Sequence, residues 1–154
     1  MVVIDSDVLL LAYSYQDDVR QEVNRAFLSS IKTAQPATTI YNVMEVLGQL
    51  SFNVSSARLM QWQDWLVNVH NLTVIWGVEP DAFIADETWR DELYEKPFVK
   101  MRESKMAYMD AMILSLAERA PHVNFFVTWN AKHFKGKSSL KVLTPSEYLE
   151  REKG

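Results

Sequence analysis

The 154-residue sequence contains no cysteine, which excludes disulfides, zinc–thiolate centres and thiol nucleophiles. That absence is compatible with a reducing cytosol, and a cytoplasmic location is expected. Four glycines and five prolines are spread thinly, so the sequence has no Gly/Pro-rich linker; it also lacks repeats and low-complexity tracts. No apolar segment approaches the roughly 20 residues that cross a bilayer. The N-terminus opens on a strand-like run, not on a basic stretch followed by an apolar one, so neither a signal peptide nor a membrane partner is expected. An excess of positive charge is missing too: 16 Lys and Arg face 20 Asp and Glu, for a net charge of −4. This argues against a generic polyanion binder, whose affinity rests on many phosphate contacts. A nucleic-acid enzyme stays open, because a cluster of metal-binding carboxylates is itself negative.

What is present is a core. Hydrophobic residues make up 48% of the chain, enough for one packed domain over residues 1–154. Val2-Val3-Ile4 reads as a first strand. Val8 to Arg25 and on to Ile31 reads as helix, with a break near Ser14 and an apolar stripe at Val19, Val23, Ala26, Phe27 and Ile31. A short strand at Pro36–Thr38 leads to Thr39 as N-cap of a helix carrying Val43, Val46, Leu47 and Leu50 on one face. A helix from Ser55 or Ser56 to Val69 precedes a β-prone run, Leu72–Trp76. Glu79–Lys96 is helical after Pro80. A further helix through Asp110 ends at Glu118 or Arg119, before Pro121. Strands at Val123–Thr128 and Leu140–Leu143 follow, and Pro145 opens a closing helix. Strands alternating with helices predict an α/β fold with a mostly parallel, four- or five-stranded sheet covered on both faces.

The informative polar residues fall at the ends of these elements. Asp5 directly follows an apolar β-branched strand, where a buried carboxylate needs a metal or a hydrogen-bond network. Ligand sites in open α/β sheets form outside the carboxyl ends of strands. Asp110 lies among Met106, Ile113, Leu114 and Ala117 and shares their apolar face; pairing with an arginine is the alternative role. Glu45 stands in the second turn after Thr39, with Asn42 one turn earlier; dipole compensation alone would also explain it. Thr128, Asn130, Lys132 and His133 follow the fourth strand. In a parallel sheet strands end and helices begin on one edge, so Asp5, Glu45, Asp110 and Asn130 can face one pocket. Three acids in mutual reach resist ionisation unless a cation neutralises them. Ligands that are all oxygen suit Mg²⁺ or Mn²⁺, and such sites do phosphoryl chemistry.

These stretches resemble the PIN-domain ribonucleases, above all the single-domain toxins of VapBC-type toxin–antitoxin pairs. Ile4-Asp5-Ser6-Asp7 is similar to the opening acidic motif, and Thr39 with Glu45 to the second. Asp110-Ala111-Met112-Ile113 resembles the third, and Val127-Thr128-Trp129-Asn130 with His133-Phe134 the fourth. The resemblance implies a three-layer αβα sandwich and hydrolysis of single-stranded or looped RNA. It also implies a homodimer and a cognate antitoxin whose tail fills the site. Carried over by position, Asp5, Glu45 and Asp110 are the metal-binding acids, and these three with Asn130 form the catalytic set. Thr128, Lys132 and His133 are then the residues nearest substrate. Asn130 departs from the family, which commonly has a fourth acid there; Asp7 either makes up part of that charge or caps a helix. Trp129 is a candidate for stacking on a base, and His70 and His122 for packing or surface.

Two other functions fit part of the pattern. Asp5-Ser6-Asp7 also resembles the nucleophile and general acid of haloacid-dehalogenase-type phosphatases, although Leu9 replaces the usual Thr or Val. A PIN-like module that binds RNA or protein without cutting is favoured by Asn130.

Overall fold

The computed structural model describes residues 1–78 and 86–153. The strands are β1 (Val2–Ile4), β2 (Pro36–Thr39), β3 (Thr73–Ile75), β4 (Phe125–Val127) and β5 (Lys141–Leu143). They form one sheet in the order β3-β2-β1-β4-β5, and every pairing is parallel. The chain builds outward from β1 on one side, then crosses back to build outward on the other. The switch point therefore lies between β1 and β4, where a crevice opens at the strand carboxyl ends.

Side-chain alternation along the strands explains the layers. Val2 and Ile4 of β1 and Val127 of β4 join one buried cluster, with Leu9, Phe27 and Leu66. Val3 and Phe126 turn to the opposite cluster, with Ile113, Leu114 and Phe134. A period of two with both faces apolar makes an unbroken hydrophobic strand. The first face is covered by α1 (Ser6–Ser14), α2 (Gln21–Ser30), α4 (Ser56–His70) and α9 (Pro145–Lys153). The second is covered by α7 (Tyr108–Arg119) and α8 (Ala131–Phe134). The helix α3 (Ile40–Leu50) sends Val46 and Leu50 to the first cluster and packs Tyr41 against the second. This is the αβα sandwich.

Departures from the sequence reading are local. The first helix starts at Ser6 and breaks after Ser14; Val19 is 96% exposed in the connection and belongs to no apolar stripe. Gln21 stabilises this break: its buried amide donates to the carbonyls of Leu11 (2.6 Å) and Tyr15 (3.0 Å). The helical reading of Glu79–Lys96 holds from Asp86, as α5 (Asp86–Arg90) and a π-helical turn (Asp91–Glu95); its first part, 79–85, lies outside the described residues. The helix then continues beyond Lys96 as α6 (Lys96–Ser104).

Glu92 explains how that excursion is anchored. Its carboxylate, 2% exposed, receives Arg119 Nη2 at 2.8 and 2.9 Å and the Tyr41 hydroxyl at 2.8 Å. Gly77 leaves room for it: a Cβ there would lie 2.4 Å from Glu92 Oε1.

Candidate active site

Asp5 begins the site because β1 ends on it. Its backbone is extended and its Oδ1 accepts from Ser6 N at 2.9 Å, so the carboxylate caps α1. The next strand over, β2, ends in Thr39, which caps α3. Thr39 and Asn42 form a reciprocal capping box: Asn42 N donates to Thr39 Oγ1 (3.2 Å) and Thr39 N donates to Asn42 Oδ1 (3.3 Å), which also accepts from Thr39 Oγ1 (2.7 Å). With its oxygen so occupied, the Asn42 amide directs its NH2 to Asp5 Oδ1 at 2.8 Å. A helix cap on one strand thus positions the carboxylate of the next.

Glu45 is one turn further along α3. The Ser6 hydroxyl lies 2.5 Å from Glu45 Oε2 and 3.4 Å from Asp5 Oδ1, linking the two acids. Asp7 completes the cluster from the other side. Thr128 Oγ1 (3.0 Å), Trp129 N (3.2 Å) and Asn130 N (3.0 Å) all donate to its carboxylate. Asp7 therefore caps the turn after β4, not α1, and welds the ends of β1 and β4 at the switch point.

Electrostatics follow from this crowding. Asp5 is buried, and burial together with the charge of Asp7 pushes its carboxyl up to about 8; Glu45 adds to the effect. Asp7 is also raised, by burial, against the pull of the Thr128, Trp129 and Asn130 donors. Among the described residues no Lys or Arg forms a salt bridge with Asp5, Asp7 or Glu45. Asp5, Asp7 and Glu45 present oxygen donors with no basic partner among the described residues, the kind of group that could hold Mg²⁺ or Mn²⁺.

The remaining expected residues are placed differently. Asp110, in the first turn of α7, is 32% exposed and sits at the rim instead of inside the apolar face. Its Oδ2 lies 3.0 Å from His133 Nε2, so His133 is engaged with an acid. Among the described residues no three His, Cys, Asp or Glu side chains surround a common point. The acidic pair that the structure does form is Asp5 with Glu45, bridged by Ser6. Asn130 and Lys132 are exposed on the same edge, and Asn130 joins the network through its backbone N–H. Trp129 turns to α2: its indole N–H donates to Asn24 Oδ1 at 2.8 Å and Arg20 covers the ring at 5.5 Å, an arrangement unlike a base-stacking platform. His70 is buried against the Tyr13 hydroxyl.

Ser6 and Asn42 join the acidic network, and the sequence reading left both without a role. Asn42 had a signal, since Thr-x-x-Asn at a helix start is a capping pattern; that its amide reaches Asp5 depends on strand adjacency.

No protein-family model matches the chain, and no curated protein matches it in sequence. Solved structures do. A toxin–antitoxin complex from Klebsiella pneumoniae aligns over 94% of this chain and 98% of its own, with TM-score 0.60 and 20% identity. VapBC2 from Rickettsia felis, bound to a DNA fragment from their promoter, aligns over the same shares with TM-score 0.64 and 18% identity. The chain thus shares the overall fold of these toxin–antitoxin structures, a PIN-like α/β fold with an all-parallel five-stranded sheet flanked by helices.

Proposed function

We propose that the protein is a Mg²⁺- or Mn²⁺-dependent endoribonuclease, the toxin of a toxin–antitoxin pair, acting in the cytoplasm. The observation that carries this reading is the acidic edge. Asp5, Asp7 and Glu45 are held by hydroxyl, amide and backbone donors, with no salt-bridged Lys or Arg among the described residues. The toxin–antitoxin nature of the similar structures supports it.

When bound, a divalent ion would supply an activated water and neutralise charge on the phosphate. Asp5 and Glu45 would hold it; Asp110, at the rim against His133, is the third oxygen donor that the resemblance implies. Asn42 and Ser6 fix the rotamers of the two inner acids, and Thr128 holds Asp7 against them. His133 and Lys132, at the rim, meet the RNA phosphates. Water adds to phosphorus, the P–O3′ bond breaks, and the 3′ oxygen departs as a hydroxyl, leaving a 5′-phosphate on the other product.

The proposed partners are RNA, an antitoxin and a second copy of the chain. Exposed Trp89, Tyr94 and Phe98 on the α5–α6 excursion, with the last two stacked 5.7 Å apart, support pairing through apolar surface. No helix among the described residues is long and apolar enough to cross a membrane.

The test is cleavage of single-stranded RNA with Mn²⁺, with EDTA, and by Asp5→Ala. Metal-dependent cutting lost in Asp5→Ala is expected, with 5′-phosphate ends. Cleavage that survives EDTA, or 2′,3′-cyclic phosphate products, would sink the reading. A second reading, a module that binds without cutting, is favoured by the Asp110–His133 contact and predicts RNA binding with no metal-dependent cleavage. The phosphatase reading needs Asp7 as a proton donor. Three hydrogen bonds into that carboxylate weigh against it, and hydrolysis of a chromogenic phosphate ester would restore it.

A further inference from the structure

The acidic edge continues into a second, uncharged recess. Both α1 and α3 follow adjacent parallel strands, start on the same sheet edge and pack together. Their facing positions repeat every fourth residue. Ser6 meets Glu45 at the edge; one turn deeper Leu10 and Gln49, then Ser14, Tyr15 and, in the turn that follows α3, Asn53, line a single cavity of about 390 Å³. Four residues of helix rise by about 6 Å, so the recess begins one turn from the acids.

Its chemistry differs from that of the edge. No lining residue carries a charge. Among the described residues the Gln49 and Asn53 side-chain amides make no hydrogen bond, leaving both their donors and acceptors available. Tyr15 is 60% exposed, yet its backbone is fixed because its carbonyl accepts from the buried Gln21 amide. Amides that match a hydrogen-bonding edge, with an exposed aromatic ring beside them, are the elements that read an unstacked nucleobase. The volume falls in the roughly 300–1,000 Å³ range of small-ligand sites. With no cation in the lining, phosphate has no counter-charge there, and a base is the part of a nucleotide that fits.

We propose that the recess lined by Leu10, Ser14, Tyr15, Gln49 and Asn53 is a base-reading subsite of a single-stranded RNA whose phosphate lies at the Asp5–Glu45 edge. The inference rests on the ribonuclease reading and adds the residues that select sequence. Every unstacked base presents a donor–acceptor edge that a side-chain amide can pair, so two amides fixed on one wall favour the base whose edge meets both. Tyr15 stacks on the base, while Gln49 and Asn53 read its edge.

Binding is measured by fluorescence anisotropy with labelled r(A)6, r(C)6, r(G)6 and r(U)6. The protein is the full chain carrying Asp5→Asn, so hydrolysis does not compete. The expected result is a preference for one hexamer over the other three of at least about tenfold, the scale of one bidentate pair. Adding Gln49→Leu or Asn53→Leu should reduce binding of the preferred hexamer to the level of the other three and leave those unchanged. Both positions are exposed, so the fold is kept, and circular dichroism checks this. Equal binding of all four hexamers, or a preference that survives both leucine variants, overturns the subsite and leaves the ribonuclease reading standing. A protein that binds no hexamer and cuts no RNA removes that reading and the subsite with it.

Discussion

Among the described residues, the Ser6 hydroxyl, 2.5 Å from Glu45 Oε2, is the one side chain that joins α1 to the acid of α3 at the candidate active site. Ser6 is itself held because Asp5 caps the helix it begins, at 2.9 Å from Ser6 N. Ser6→Ala removes the hydroxyl and keeps the backbone cap. The expected outcome is a fold within about 1 kcal/mol of wild type, the scale of one hydrogen bond. Cleavage should fall by about tenfold, with more Mn²⁺ needed for half-maximal rate. Thermal unfolding and a Mn²⁺ titration of RNA cleavage measure the two effects, and an unchanged titration would take Ser6 out of the site.

Acid should stabilise the metal-free protein. Burial and Asp7 raise the Asp5 carboxyl from its ordinary 3.8 to about 8, so between those values the folded state binds a proton that the unfolded chain does not. Stability therefore falls as pH rises through that window, by up to a few kcal/mol. In EDTA the melting temperature should be higher at pH 5.5 than at pH 8, and Asp5→Asn should flatten most of the slope. A wild-type profile that rises toward pH 8 contradicts this.

Glu92 predicts a stability effect far from the acids. Arg119→Ala leaves a carboxylate that is 2% exposed with only Tyr41 and, at 3.6 Å, Lys96 for company. Because Arg119 is itself 33% exposed, the expected loss is about 2–4 kcal/mol, at or below the usual range for breaking a buried pair. Gly77→Ala should cost about 1–3 kcal/mol, since its Cβ would meet Glu92 Oε1 at 2.4 Å and the Tyr41 hydroxyl at 2.9 Å. Urea denaturation tests both; two variants as stable as wild type would show that the anchor is dispensable.

Asn130 is exposed, and its N–H, not its amide, is what the Asp7 carboxylate receives. Asn130→Asp should therefore leave stability within about 0.5 kcal/mol, as for most surface changes. The added charge on the site edge should lower the Mn²⁺ concentration for half-maximal cleavage, and Asn130→Ala should raise it. Superimposable metal titrations for the three proteins would confine Asn130 to shaping the turn.

Sequence alone determined the layers and the edge. Val2-Val3-Ile4 and Phe125–Val127 are apolar at every position, which only strands buried on both faces require, and their alternation with helices makes the sheet parallel. Asp5, Thr39 and Thr128 stand at the ends of such strands, so their common edge was legible from spacing. Tertiary structure decided what those residues touch. Strand order brings β2 beside β1, and only then does the Asn42 amide, already fixed by Thr39, reach Asp5. It brings β4 to the other side, where Asp7 caps the Thr128 turn, and it sets Asp110 against His133 at the rim. A hydrogen bond between residues 37 or 121 positions apart has no periodic trace in the chain; the packing of the helices and the twist of the sheet select the partner.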